Sequence, residues 1–186
     1  MWEKIQQWDR ELFVYLNNLG IEKYDAFWIF VTNPRHWIPL YLLFFLFFFL
    51  AFHWRKAAFT SLFLLATVFT TWGLTNLVKG IALRLRPNNT PELTELIRIL
   101  QEPTNYSFFS GHSSTSFAAT TFIVLILSQK TRWIYLAYLW PIIFVMSRIY
   151  VGVHYPGDIL VGMIVGIIMA IIFYKLYDKS GRRLIF

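Results

Sequence analysis

The chain has 186 residues, 57% hydrophobic and 20% aromatic, with a mean hydropathy of +0.52, more apolar than an ordinary soluble domain. It contains no cysteine, which removes disulfide frameworks, thiolate metal sites and thiol nucleophiles. The net charge of +7 sits between apolar runs, and none of the spacings of zinc fingers or aromatic RNA-binding strands occurs, so the basic balance points to a bilayer and not to nucleic acid.

Residues 1–35 come first and differ from the rest. Charged positions (Glu3, Lys4, Asp9, Arg10, Glu11, Glu22, Lys23, Asp25) interrupt Trp2, Ile5, Trp8, Leu12, Phe13 and Leu16 at roughly helical spacing. That pattern predicts one or two amphipathic helices lying in the membrane interface. The alternative is an additional span beginning at Tyr24–Val31. No signal peptide is expected, because no basic, apolar and small-residue cleavage segments follow one another at the start.

Five apolar stretches follow, from about His36 to Trp54, Ala57 to Leu83, Ser113 to Ser128, Trp133 to Tyr150 and Ile159 to Tyr177. Each meets or approaches the roughly 20 residues a spanning helix needs. The expected architecture is an all-α polytopic membrane bundle of five or six spans, with 1–35 an interfacial segment and 36–186 the membrane domain. The phenylalanine-rich stretch from Phe44 to Phe52 reads as lipid-facing or core packing, and His36 and His53 as interfacial packing at helix ends.

The second run stays apolar to Asn76, meets Lys79, and passes Arg84 and Arg86 before Pro87, where the helix is expected to stop. Lys79 and Arg86 are seven residues apart, about two helical turns, which would put both on one side near the end of that helix. Arg84 is expected to snorkel to the headgroups. A long mixed loop then fills residues 88–109.

Short connections set the orientation. Arg55, Lys56, Lys130, Arg132, Lys175, Lys179, Arg182 and Arg183 fall on one side against the single acid Asp178, which makes that side cytoplasmic by the positive-inside rule. Trp37, Trp54 and Trp133 at run ends suit an aromatic belt.

The opposite face collects Lys79, Arg86, Ser110, Gly111, His112, Arg148, His154 and Asp158 from eighty positions of chain. Ionisable groups at a membrane edge are costly unless paired or used, so three cations and two histidines at one face invite an anionic ligand. Each has a task around a phosphate ester. Lys79, Arg86 and Arg148 can neutralise its oxygens. Ser110-Gly111-His112 directly precedes an apolar helix, placing a hydroxyl and free amides at a helix N-terminus. His112 can donate a proton to the leaving group. His154 is followed by Tyr155-Pro156-Gly157-Asp158, a turn from which the carboxylate can accept a hydrogen bond from one ring nitrogen, leaving the other as nucleophile.

Three elements in order, Lys79 with six residues to Arg86-Pro87, then Ser110-Gly111-His112, then Ser147-Arg148 with five residues to His154 and three to Asp158, resemble the type 2 phosphatidic acid phosphatase (PAP2) family in its membrane branch. The resemblance covers about 80 residues. It implies Lys79, Arg86 and Arg148 as phosphate-binding, Ser110 and Gly111 as their support, His112 as acid, His154 as nucleophile and Asp158 as its orienting partner. It also implies hydrolysis without a metal ion or other cofactor. Phe109 departs from the family's usual proline before Ser-Gly-His, which bears on loop rigidity and not on the phosphate-binding groups.

Two rivals remain. Glu92, Glu95, Glu102, His112, His154 and Asp158 could ligate a divalent ion in a metal hydrolase, but they form no His-x-x-x-His pair or acid cluster. The other is non-enzymatic, a polytopic scaffold or an anion transporter; a transporter would need access from both sides, whereas the cations gather at one edge. The expected substrate is a membrane lipid phosphate held in the bilayer by its tail. Candidates implied by the resemblance are undecaprenyl diphosphate, phosphatidylglycerol phosphate, phosphatidic acid and lipid A phosphates. Short loops leave little surface for a large saccharide, which favours undecaprenyl diphosphate. The expected location is a bacterial cytoplasmic membrane with the site facing the periplasm or exterior.

Overall fold

The computed structural model describes residues 1–184, and the side chains of all of these but Trp2 and 182–184, so the side chains of the tail cations Arg182 and Arg183 lie outside what is described. Seven α-helices follow one another, with short 3-10 turns at several joints and no strand among the described residues: α1 (Trp2–Asn18), α2 (Asp25–Thr32), α3 (Ile38–Ala51), α4 (Trp54–Ala82), α5 (Gly111–Leu127), α6 (Leu139–Tyr150) and α7 (Pro156–Leu184). The five expected runs coincide with α3 to α7. Four described segments are long and apolar enough to cross a membrane: Pro34–Ala51, Trp54–Asn89, Arg132–Tyr150 and Pro156–Gly181.

The fifth, α5, has 17 residues, about 26 Å of rise, slightly less than a bilayer's hydrocarbon. It tolerates this because it is the centre of the bundle: Phe117, Phe122, Ile123 and Val124 are buried, packed between α4 on one side and α7 on the other. α7 approaches α5 through small residues four apart. A Cβ on Gly162 would stand 2.7 Å from the Ser110 carbonyl, and one on Gly166 would collide with that of Ser114, so only glycine permits this spacing. α2 is eight residues long, far too short for the sixth span that Tyr24–Val31 offered as an alternative.

The second run ends differently from expectation. α4 stops at Ala82, before Pro87, because Leu83 takes a left-handed backbone (φ 48°, ψ 26°) while its N–H still bonds the Lys79 carbonyl at 3.2 Å. Arg86 is extended (φ −75°, ψ 157°). Lys79 and Arg86 therefore do not share a helical face. They reach the same place from a helix and from the strand-like segment after it.

The C-termini of α4 and α6 and the N-termini of α5 and α7 meet at one end of the bundle, and α1 packs against α6 and α7 there. Phe13 of α1 is buried edge-on to Tyr155, with ring centroids 5.5 Å apart. The Asn17 amide, fully buried, donates to the carbonyls of Arg98 and Ile149 at 3.1 and 2.9 Å.

Candidate active site

His154 lies in the five-residue connection between α6 and α7, buried to 1% exposure. Its turn is pinned from below: the amides of Val153 and His154 both donate to the Arg148 carbonyl, at 3.1 and 3.3 Å. The imidazole Nε2 stands 3.0 Å from Nη1 of Arg86. A guanidinium can only donate, so Nε2 is the acceptor and the ring proton belongs on Nδ1. On that side lie Asp158 Oδ2 at 3.4 Å and Ser107 Oγ at 3.2 Å. Ser107 Oγ also donates to the same Asp158 oxygen. The tautomer that keeps the lone pair on Nε2, where Arg86 donates to it, is thus the one the surroundings select.

Burial first, and then the cations of Arg86, Arg148, Lys79 and Arg84, hold the His154 proton affinity well below the ordinary histidine value of 6.5. The ring is neutral at neutral pH.

Arg86 is spread across its whole fork. Nη1 also reaches the Val153 carbonyl at 2.9 Å, Nε bonds the Asn105 carbonyl at 2.8 Å, and Nη2 bonds Asn105 Oδ1 at 2.8 Å. Lys79 donates to the carbonyls of Tyr106 and Ser107 at 2.6 and 3.0 Å, tying the long loop to the end of α4. Arg148 is 4% exposed; its Nη1 bonds Thr32 Oγ1 and, at 3.1 Å, Gln101 Oε1, while its Nε has no partner.

Ser110 begins α5 as a cap. Its Oγ accepts from the Ser113 amide at 3.4 Å, and its own amide donates to the Asp158 carbonyl at 3.0 Å, so the two helix N-termini are stitched together. His112, one residue into α5, rests against Phe144 with ring centroids 5.0 Å apart.

Lys79, Arg86, Gly111, His112 and His154 line one end of a cavity of about 480 Å³. Phe44, Leu64, Phe69, Trp72, Ile123 and Phe144 line the remainder, which runs down between α3, α4, α5 and α6. Ser110, Arg148 and Asp158 are buried outside that lining. The arrangement is a polar, cationic head with an apolar shaft.

Among the described residues no three His, Asp or Glu side chains come together as a metal-holding group, and Glu92, Glu95 and Glu102 do not join the histidines. Four groups escaped sequence reasoning: Ser107, Asn105, Arg84 and Asp9. Arg84 does not reach outward as expected. It is tied to Asp158 and Asp9 at 2.7 Å each, because two carboxylates inside the fold outcompete the headgroups for it.

A family model described as the PAP2 superfamily matches residues 60–182, which hold every candidate residue named from the three motifs. The chain belongs to the PAP2 superfamily. It is similar to the lipid A 4'-phosphatase of Bacteroides thetaiotaomicron, 27% identical over 189 residues covering 99% of this chain and 83% of that one. It is also similar to the undecaprenyl-diphosphatase of Sulfolobus acidocaldarius, 32% identical over 162 residues covering 84% and 72%. Its fold matches the transmembrane PAP2-type phosphatidylglycerolphosphate phosphatase of Bacillus subtilis, with a TM-score of 0.76 at 20% identity over 97% of this chain and 89% of that one. This PAP2 chain is an integral-membrane lipid phosphatase, a hydrolase of phosphate esters.

Proposed function

We propose that the lipid phosphate docks at the cationic head of the cavity and is cleaved through a phosphohistidine on Nε2 of His154. The observation that carries this is the polarity of the ring: Nε2 faces Arg86 at 3.0 Å while Nδ1 faces Asp158. Lys79 and Arg86 neutralise the non-bridging oxygens, Arg148 adds positive charge from just outside the cavity lining, and the Gly111 end of α5, capped by Ser110, offers backbone amides to them. Nε2 attacks phosphorus, the bond to the leaving oxygen breaks with its electron pair, and His112 protonates that oxygen. Water then attacks the phosphohistidine, His112 takes its proton, and inorganic phosphate leaves with Nε2 restored as a lone pair. No metal is needed, because the positive charge is supplied by side chains.

The apolar shaft supports a substrate whose tail stays at bilayer depth. Undecaprenyl diphosphate is the physiological substrate of this reading, favoured by the 32% identity to an undecaprenyl-diphosphatase. The second reading is a lipid A phosphate, favoured by similarity along 99% of the chain to a lipid A 4'-phosphatase. Phosphatidylglycerol phosphate and phosphatidic acid complete the panel. The site faces the exterior of a bacterial cytoplasmic membrane, and residues 1–35 lie in its interface.

Purified protein in detergent with chelator, assayed for released phosphate on undecaprenyl diphosphate, lipid A, phosphatidylglycerol phosphate and phosphatidic acid, tests class and substrate together. Undecaprenyl diphosphate should give the highest kcat/KM. Loss of activity on chelation with recovery on added metal would overturn the mechanism. His154→Ala should abolish turnover and retain substrate binding, and His112→Ala should recover in part on substrates with better leaving groups.

A further inference from the structure

Arg84 stands two residues before Arg86 in the segment that follows α4, and its side chain is 22% exposed. Its fork has two ends. Nη1 lies 2.7 Å from Asp158 Oδ1, and Nη2 lies 2.7 Å from Asp9 Oδ2 on the N-terminal helix α1. The guanidinium carbon sits 4.0 Å over the ring of Tyr155. Asp9 uses its other oxygen to accept from the Gly157 amide at 2.7 Å. A Cβ at position 157 would meet Asp9 Oδ2 at 2.8 Å, so this approach requires the glycine that stands there.

Asp158 is fully buried, and its two oxygens are divided. Oδ2 serves His154 Nδ1, Ser107 Oγ and the Tyr155 amide, while Oδ1 is taken by Arg84. A carboxylate with only one face held could rotate about its last bond and lose the line to Nδ1. A buried carboxylate without a cation would also be expensive to keep ionised. Both needs are met by one guanidinium.

Taking His154 as the nucleophile, as proposed above, we infer that Arg84 is a positioning residue which fixes the Asp158 carboxylate toward His154, and that Asp9 of α1 holds Arg84 in place. The N-terminal helix is then part of the catalytic support through a single chain of contacts: Asp9, Arg84, Asp158, His154. The three cations left for phosphate, Lys79, Arg86 and Arg148, are not drawn into neutralising Asp158.

The groups around the His154 ring are Lys79 of α4, Arg84 and Arg86 after it, His112 of α5, Arg148 of α6 and Asp158 of α7. Removing the Arg84 cation lets the ring bind a proton more readily and frees Asp158 to pair with the imidazolium. Since the nucleophile must be neutral, the acidic limb of kcat/KM moves to higher pH. A residue that merely held the fold together would lower the folded fraction and leave that limb where it was.

The test compares full-length wild type, Arg84→Gln, Arg84→Lys, Asp9→Asn and the Arg84→Gln/Asp9→Asn double variant, with His154→Ala as control. Phosphate release from farnesyl diphosphate in detergent is followed across pH, with thermal unfolding in parallel. Arg84→Gln should lower kcat about tenfold to a hundredfold with KM nearly unchanged, and raise the acidic limb. Arg84→Lys keeps the charge and one of the two bonds; it should recover most of the loss and restore the limb. Asp9→Asn should cost less, and the double variant should be no worse than Arg84→Gln, because Asp9 acts through Arg84. A folded Arg84→Gln protein with wild-type kcat and an unmoved acidic limb overturns the inference, as does a loss in Asp9→Asn that adds in full to that of Arg84→Gln. If Arg84→Gln fails to fold, Arg84→Lys and Asp9→Asn decide by the same limb and kcat. Full activity in His154→Ala defeats the phosphohistidine reading instead, whereas an inert His154→Ala beside an unaltered Arg84→Gln defeats only the inference.

Discussion

The His154 ring is gripped along one edge by Arg86 and along the other by Asp158 with Ser107 between them. His154, Asp158 and Arg86 are readable in sequence because each sits in a spaced element whose partners are a fixed distance away along the chain. Ser107 and Asn105 are not, since the loop of 88–110 has no periodicity and its path is set by carbonyls bonding Lys79 and by Asn105 bonding Arg86. Ser107 bonds both Asp158 and the ring, so it contributes a charge-assisted bond of roughly 1.5–3 kcal/mol, worth about tenfold or more in rate if it is needed in the transition state. Ser107→Ala should therefore lower kcat about tenfold with little change in KM, measured by steady-state phosphate release. Equal loss in kcat and gain in KM would assign Ser107 to substrate binding instead.

At the scale of elements, the number and order of long helices follow from hydropathy alone, because backbone amides in lipid have no partner outside a helix. The end of α4 does not. A left-handed cap is ordinarily signalled by glycine or asparagine, and Leu83 gives neither signal, so the helix was expected to run on to Pro87. The packing of α5 on α7 rests on Gly162 and Gly166, and the first of these touches the Ser110 carbonyl, one residue from the start of the His112 turn. Gly162→Ala must push the α5 N-terminus away from α7 and with it the Ser110 amide that bonds Asp158. Overpacking of this kind costs about 1–3 kcal/mol. The variant should unfold at lower temperature and lose kcat more than it gains KM, whereas a methyl at Gly73 or Gly80, which face open space, should do neither.

For the whole molecule, the two ends of the bundle differ in kind. One end carries the cavity head, α1 and the long loop; the other carries the connections with Arg55, Lys56, Lys130 and Arg132. α1 lies across the site end with Ile5, Trp8, Leu12, Tyr15 and Leu19 exposed along one side, three or four residues apart, while Phe13 and Asn17 face the protein. An exposed apolar stripe of that period suits a lipid interface, and under the proposed function the cationic head of the cavity would then lie near headgroup level. By the positive-inside rule the opposite end is expected to face the cytoplasm. Because the chain has no cysteine, single cysteines report on this directly. Glu102→Cys in the long loop and Gln129→Cys in the α5–α6 connection are both at exposed positions. In intact cells stripped of any outer envelope, a membrane-impermeant thiol reagent should label position 102, and should label position 129 only after permeabilisation. The reverse pattern would turn the site toward the cytoplasm, where a lipid diphosphate exposed on the outer leaflet could not reach His154.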